Sequence, residues 1–438
     1  MFKTFINAFK IKEIRHKLLF TLLMLLVTRI GCQVPTPGVN QEFVKTMVES
    51  IFGTDGMGMF GAFTGGSFEQ MSLLALGITP YITSSIIMQL LTIAIPKLEE
   101  MQKDGEDGRK KIAAITRYVT VALALIESGA MAIGFGGSGY LEEYNALNVI
   151  TVIAAMTAGS AFLMWVGERI TEKGVGNGIS IVLIFNIISS FPQDAKTLYT
   201  TFIKGETVPK AVLSGAIILL IIIAVIVMVI FLSDGTRKIP VQYAKKVQGN
   251  RLMGSNSSVI PVKINTAGVI PVIFAASILQ FPIIITNLVK YQGTGWWSHC
   301  IKAMNSNYWF NPDQMIYSLG VIVYIVLVVF FAYFYTSITF NPIEIANNLK
   351  KSGGFIPGIR PGKPTSEYLN NVLNYIIFIG AVGLTIVAVV PYIFSGLFGA
   401  HVSFGGTSII IVVGVVVETV KQVESQMLVR NYKGFLND

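Results

Sequence analysis

Apolar residues run along this chain in long blocks. A helix crossing the ~30 Å hydrocarbon core of a bilayer needs about 20 such residues, and ten stretches qualify: Leu18–Val34, Leu73–Ile95, Ile112–Phe135, Val149–Ile170, Ile179–Phe191, Ala211–Leu232, Ile264–Val289, Met315–Phe340, Val372–Leu397 and Phe404–Val420. The fifth is short and stops at Phe191-Pro192. The pattern predicts an all-α polytopic membrane protein with ten transmembrane helices. Its divisions are a cytoplasmic segment 1–17, an N-terminal half 18–192, an external linker 193–210, a C-terminal half 211–420 and a tail 421–438.

One apolar stretch, Phe60–Leu91, is broken. Gly61, Gly65, Gly66 and Glu69 occupy its first third, and Gly77 and Pro80 interrupt the rest. Gly and Pro are tolerated at membrane depth where protein or water satisfies the freed backbone groups, which places the stretch inside a bundle. Alone it also reads as a kinked packing helix. However, Gly77-Ile78-Thr79-Pro80-Tyr81-Ile82 recurs as Gly268-Val269-Ile270-Pro271-Val272-Ile273, and Ile87 and Gln89 recur as Ile278 and Gln280. Paired broken segments in corresponding positions of two halves point to a transport path between inverted repeats. Five spans per half, an odd number, make the halves antiparallel.

Composition agrees. Of 438 residues 53% are hydrophobic and 13% charged, against roughly 25% charged in soluble domains, and the mean hydropathy is +0.64. The net charge of +9 could suggest nucleic acid, but 26 of the 33 Lys and Arg lie in loops on the N-terminal side and only 6 in the opposite loops. By the positive-inside rule both termini are cytoplasmic, and sequence-specific nucleic-acid binding is not needed to explain the basic excess. The basic start and apolar Leu18–Thr28 imitate a secretory signal, and Ile30-Gly31-Cys32 hints at a lipoprotein box. Arg29 stands where that box needs an aliphatic residue and no small-x-small site follows, so the segment reads as a retained first helix.

Two cytoplasmic loops exceed what a connection requires. Ser233–Pro261 has a β-branched start and a Gly/Ser/Asn tip, which suggests a hairpin, and Asn341–Ser366 spaces Pro and Gly as an ordered finger. Such basic loops serve as a docking surface for a cytoplasmic partner or bind anionic lipid.

Reaction chemistry is missing from the pattern. Gly134–Gly139 fits G-x-G-x-x-G but ends a membrane helix and follows no strand. Gly358–Pro364 has the wrong spacing for a P-loop. His16, His299 and His401 are isolated, and Cys32 and Cys300 are too differently placed for a structural disulfide. No cofactor, metal site or catalytic residue is expected. Within the spans Arg29, Glu127 and Glu418 are nearly all the ionisable groups, and Arg29 with Glu127 reads as a packing pair. A broken, aliphatic, uncharged path suits a large neutral cargo better than an ion.

Six runs resemble one family: GITPYITSSIIMQLL at 77–91, WVGERITEKGVGNGISI at 165–181, IPVQYAKK at 239–246, NTAGVIPVIFAASI at 265–278, FNPIEIANNLKKSGGFIPGIRPGKPT at 340–365 and FGGTSIIIVV at 404–413. They look like bacterial SecY, the central subunit of the Sec protein-translocation channel, over essentially the whole chain. The resemblance implies an hourglass channel between two inverted five-helix halves. It implies a plug at about 60–73, folded as a short helix, with Gly65, Gly66, Ser67, Phe68, Glu69, Gln70, Met71 and Ser72. It places a pore ring at Ile78, Ile82, Ile179, Leu183, Ile273 and Ile411, aliphatic side chains that seal by dewetting; composition alone would make them ordinary core. It makes the second and seventh spans a lateral gate, with Thr83, Gln89, Asn265 and Phe281.

In the loops 233–263 and 341–367, Arg360 matches the family's partner-sensitive arginine. The other loop tip reads Asn250-Arg251 where a basic pair is usual, leaving Arg251 and Lys246 for that contact; Leu183 stands where isoleucine is more usual. The implied partners are the SecE and SecG subunits, the SecA motor ATPase or a translating ribosome, signal-bearing polypeptides and membrane lipid, in the bacterial plasma membrane. The expected function is a passive polypeptide channel, not an enzyme. The alternatives are a small-solute secondary transporter with inverted repeats, which would need a charged midplane site, and a structural scaffold, which would tolerate continuous helices at Gly77 and Pro80.

Overall fold

The structure, a computed structural model, describes residues 9–44, 46, 64–68, 70–204, 208–243, 247–248, 251–252, 257–288, 295–310, 312–398 and 406–434. In order it runs α1 (Lys12–Gly31), α2 (Thr79–Ala94), α3 (Pro96–Lys103), α4 (Glu106–Phe135), α5 (Ala146–Lys173), α6 (Gly178–Phe202) and α7 (Val208–Asp234). Strands β1 (Thr236–Tyr243), β2 (Val247–Gln248), β3 (Arg251–Leu252) and β4 (Ser257–Lys263) follow. Then come α8 (Ile270–Leu288), α9 (Trp296–Met304), α10 (Leu319–Thr339), α11 (Pro342–Lys351), β5 (Gly354–Phe355), α12 (Lys363–Phe398) and α13 (Gly406–Gly434).

Each expected span meets a helix. Among the described residues five stretches are long and apolar enough to cross a membrane by themselves: those in α4, α5, α7 and α12, and the run Met315–Lys351 that contains α10. A sixth is counted if α2 and α3, bent by 102°, form one broken span. Pro96 begins α3, and a residue before proline is driven to extended backbone; Ile95 at φ −111°, ψ 111° makes the bend.

Local expectations fail where the chain bends. Leu73–Ile78 is turn, not the start of a helix, because Gly77 sits at φ +60° and Pro80 suits only a first helical turn. Conversely, α6 does not stop at Phe191 but continues through Pro192 to Phe202; a single proline removes one helical donor without ending the helix. Three helices start on an asparagine whose side chain accepts backbone N–H groups: Asn145 on α5, Asn177 on α6 and Asn341 on α11.

The chain divides into two compact units, one of Met1–Gly215, Pro282–Ile301 and Phe398–Asp438, the other of Ala216–Phe281 and Lys302–Leu397. In the first, Phe68, Met71, Ala75 and Leu76 pack with Ala124 and Ala132 of α4, Val152 and Met156 of α5, and Tyr140. A second cluster joins Ile14 of α1, Val175 and Val423 of α13. Arg117 Nε and Glu168 Oε1 tie α4 to α5 at 2.6 Å.

In the second unit the two long loops share one core. Ile239, Val241 and Val262 of the hairpin pack with Leu349, Ile356, Leu369, Leu373 and Ile376. Strand β1 lies between β4 and β5, antiparallel to both. Ile264 N donates to Gly235 O at 2.8 Å, so by alternation Arg237–Val262 and Ile239–Ile260 are hydrogen-bonded pairs. Pro240 and Pro261 fall on the other set, where their missing N–H costs the β1–β4 ladder nothing. Pro261 also blunts the open edge of β4 against further strands.

Candidate functional site

The site grows from the segment between α1 and α2. Gly65 and Gly66, at φ +63° and +79°, take backbone positions where a side chain is disfavoured, and they turn the chain against α6. A Cβ on Gly65 would lie 3.0 Å from Ser189 Oγ and 3.1 Å from Asn186 Cα. Gly65–Phe68 and Gln70–Met71 follow as turns. Thr64 is helical, and past it the short helix expected over this segment is not formed among the described residues, since two successive left-handed glycines break it. Glu69 and residues 60–63 lie outside the described residues.

The segment is held at both ends. At the first, Arg29 Nη1 of α1 donates to Gly65 O at 2.9 Å and to Ser189 Oγ at 3.3 Å. Ser189 Oγ in turn donates to Asn186 O at 2.7 Å. At the second, the chain after α1 forms a bridge between Pro35 and Ser72, with Thr36 N to Met71 O at 2.9 Å and Leu73 N to Val34 O at 2.8 Å. Ser67 Oγ spans the middle, 2.6 Å from Thr64 O and 3.1 Å from Leu74 O. The Arg29–Glu127 pair read from sequence is absent. A backbone carbonyl and a hydroxyl satisfy the guanidinium instead, which the distribution of charged residues could not have revealed.

The seat carries strain and open polar groups. Met71, fully buried, has φ +43°, a costly conformation for a non-glycine residue that surrounding packing must impose. Tyr140 Oη lies 3.6 Å from Met71 Sδ and 3.8 Å from Met156 Sδ, and burial pushes its phenol well above the usual range. The buried Thr36 and Ser72 hydroxyls, one on each side of the bridge, have no hydrogen-bond partner among the described residues. A buried unsatisfied hydroxyl destabilises by about 1–3 kcal/mol, so the packing of this segment is less than fully favourable.

The proposed ring residues sit in two kinds of surroundings. Ile78, just before α2, is fully buried, as are Leu183 on α6 and Ile411 on α13, whereas Ile82, Ile179 and Ile273 are half-buried. Ile78, Ile82, Ile179, Leu183 and Ile411 belong to the first unit and Ile273 to the second. Asn177 Oδ1 accepts from Ile179 N at 3.2 Å, and Gly178 N donates to Thr171 Oγ1 at 2.9 Å. Val175 N donates to Thr21 Oγ1 of α1 at 3.2 Å, so the glycine-rich hinge is pinned to the first helix. Of the proposed gate residues, Thr83 is half-buried, Gln89 exposed and Asn265 buried; the Phe281 side chain lies outside the described residues.

On the loop side, Gly358 (φ +82°) and Gly362 (φ +104°) bracket Arg360. Thr365 Oγ1 donates to Arg360 O at 2.8 Å, so the turn is ordered while the Arg360 side chain is exposed. Lys246 and the Arg251 side chain lie outside the described residues. Among the described residues no cluster of His, Cys, Asp or Glu could hold a metal ion, and both cysteines are free.

The sequence model of the SecY family matches residues 72–420. A protein translocase subunit SecY of Streptomyces coelicolor is 43% identical, with 100% of both chains covered. Two solved structures share the fold. One, described as showing that the plug domain of the SecY protein stabilises the closed state of the translocation channel and maintains a membrane seal, gives a TM-score of 0.60 at 19% identity, covering 94% of this chain and 92% of that one. The other, Sec61 in the canine ribosome-channel complex from the endoplasmic reticulum, gives 0.59 at 18% identity, covering 94% and 93%.

Proposed function

The chain belongs to the SecY family, and we propose from that premise a passive protein-conducting channel whose motive force comes from outside. It is a multi-pass membrane protein and the channel subunit of a protein translocase. It catalyses no reaction. Unfolded secretory polypeptides pass between two inverted halves, and signal sequences and membrane helices leave sideways into lipid past Thr83, Gln89, Asn265 and Phe281. Gly65–Ser72 is the plug, and Ile78, Ile82, Ile179, Leu183, Ile273 and Ile411 form the ring that closes around the chain in transit. Aliphatic side chains there exclude ions by dewetting and give a passing polypeptide no hydrogen bond to hold.

The observation that carries the reading is the full-length likeness to SecY translocase subunits, together with the paired broken segments at Gly77–Ile82 and Gly268–Ile273. The ten spans rest on the apolar stretches, the cytoplasmic termini on the distribution of Lys and Arg, and the bacterial plasma membrane on the likeness to bacterial SecY subunits. SecE and SecG brace the halves, and SecA or a translating ribosome docks on Arg360 with Arg251 and Lys246.

The test is a crosslink in membrane vesicles supplied with the motor and ATP. A precursor stalled by a folded C-terminal domain carries one cysteine in its translocating segment, and the channel carries one at Ile82 or Ile273. A crosslink that needs ATP and a functional signal sequence supports the ring. Capture no better than at lipid-facing control positions overturns it.

A further inference from the structure

Arg29 stands in the last turn of α1, within the first apolar stretch, where a charge complements the helix C-terminus but is still costly unless it also finds partners. Among the described residues no carboxylate pairs with it. Its partners are the Gly65 carbonyl oxygen at 2.9 Å and Ser189 Oγ at 3.3 Å. We propose that Arg29, with Ser189, is the positioning pair that latches the plug: the guanidinium grips the main chain at the Gly65-Gly66 turn and keeps the segment seated until a signal sequence enters. The proposal rests on reading Gly65–Ser72 as the plug.

The two ends of the segment are held by different means. Near Ser72 the tie is a short backbone bridge, Thr36 N to Met71 O and Leu73 N to Val34 O. Near Gly65 the tie is made by side chains: the Arg29 guanidinium at 2.9 Å and the Ser189 hydroxyl at 3.4 Å both donate to the one carbonyl. A bridge of paired backbone groups behaves as a hinge, because opening it exposes several groups together. Side-chain contacts that converge on one carbonyl behave as a latch. The two glycines fit this role, since Gly65 lies so close to Asn186 and Ser189 that a Cβ would crowd them. The strained Met71 and the unpartnered Thr36 and Ser72 hydroxyls lower the barrier to leaving the seat. They make the Arg29 contact the element that decides between seated and released. The latch also spans two helices: Arg29 is on α1 and Ser189 on α6, so a shift of either changes the grip on Gly65.

The test uses the assembled channel in planar bilayers and in export-competent vesicles, with two readouts: resting ion conductance, and export of a precursor whose signal sequence is defective. Arg29→Ala should raise both by roughly tenfold or more, the scale of losing a charged hydrogen bond. Arg29→Lys, which keeps a charged donor group, should stay near the parent, and Ser189→Ala should give a smaller rise. A lock is available, because Cys32 and Ser67 are buried near neighbours in the seat. In the double variant Arg29→Ala/Ser67→Cys, oxidation that joins Cys32 to the introduced thiol should return the conductance to the resting level.

Arg29→Ala that exports an intact precursor yet stays sealed and selective overturns the latch. If Arg29→Ala does not accumulate, Gly65→Ala, which crowds the carbonyl away from α6 and leaves Arg29 in place, is read the same way: a leak supports the latch and a sealed channel overturns it. Failure of the parent chain to export an intact precursor would strike the channel reading instead.

Discussion

Gly159 of α5 lies directly against the carbonyl oxygen of Leu73. A Cβ at position 159 would fall inside the van der Waals shell of that oxygen, and the Leu74 side chain would be 3.3 Å away. Ser160 Oγ, the next residue, points at Gly77 O at 3.4 Å. The absent side chain at 159 therefore lets α5 approach the turn between Ser72 and α2. Gly159→Ala should push the turn off α5 and destabilise the solubilised protein by about 1–3 kcal/mol, the usual scale of overpacking. Thermal unfolding in detergent measures this, and an unchanged midpoint would mean the contact is loose.

The hinge between α5 and α6 makes a graded prediction. Asn177 caps α6 through Ile179 N and Ser180 N at 3.2 and 3.4 Å, and losing such a cap costs about 1 kcal/mol. Gly178 has no space for a side chain, because a Cβ there would collide with the Gly167 carbonyl and come 2.6 Å from Ile170 Cβ. Asn177→Ala should therefore be milder than Gly178→Ala in the same unfolding measurement. The reverse order would show that the cap, not the close approach of helices, fixes where Ile179 and Leu183 begin.

The helices were legible because an unbroken apolar run has few alternatives in a membrane. Helix α7, from Val208 to Asp234, covers its expected stretch Ala211–Leu232 at both ends. Ends set by polar sequence were less legible. Helix α12 begins at Lys363, nine residues before the apolar block, and α13 runs on to Gly434, because charged residues of good helix propensity continue a helix into water. The break at Gly77 and Pro80 was visible in the sequence, but its form as a turn over Leu73–Ile78 was not, because apolar composition does not record the positive φ that Gly77 takes. Arg29 was visible as an anomaly in a span, but its partner was not. A backbone carbonyl carries no sequence signal, and the nearest carboxylate in composition, Glu127, was the wrong choice. Strand β1 was suggested by Ile239–Val241, whereas its second partner β5, far later in the chain at Gly354–Phe355, needed the tertiary fold.

The Arg360 turn makes a prediction about docking. Thr365 Oγ1 closes the turn on Arg360 O, and the guanidinium is exposed, free to meet an acidic or phosphate-bearing surface. Arg360→Glu should weaken binding of the motor or the ribosome by roughly tenfold or more and flatten its dependence on salt. Thr365→Val, which removes the hydroxyl while keeping the charge, should weaken binding less and keep the salt dependence. Flotation or sedimentation of channel-bearing vesicles with the partner across a salt series separates the two. Equal losses with equal salt slopes would mean that loop order, not the charge, carries the contact.

Burial divides the proposed ring, and the division can be tested. Ile78 is fully buried and Ile82, one turn along α2, is half-buried. Ile78→Ala should leave a cavity and cost about 2–5 kcal/mol of stability, because its neighbours are protein. Ile82→Asn should cost little stability but admit water to a surface meant to stay dry, raising resting ion conductance. A cysteine at 82 should react with a hydrophilic thiol reagent and one at 78 should not. If both react alike, or if Ile82→Asn unfolds the protein while Ile78→Ala does not, then Ile82 is packing and the sealing surface on α2 lies elsewhere. The same contrast should hold on α6, where Ile179 is half-buried and Leu183 is buried: the first turn of each helix meets the path or the core according to which of its two aliphatic residues the neighbouring helices cover.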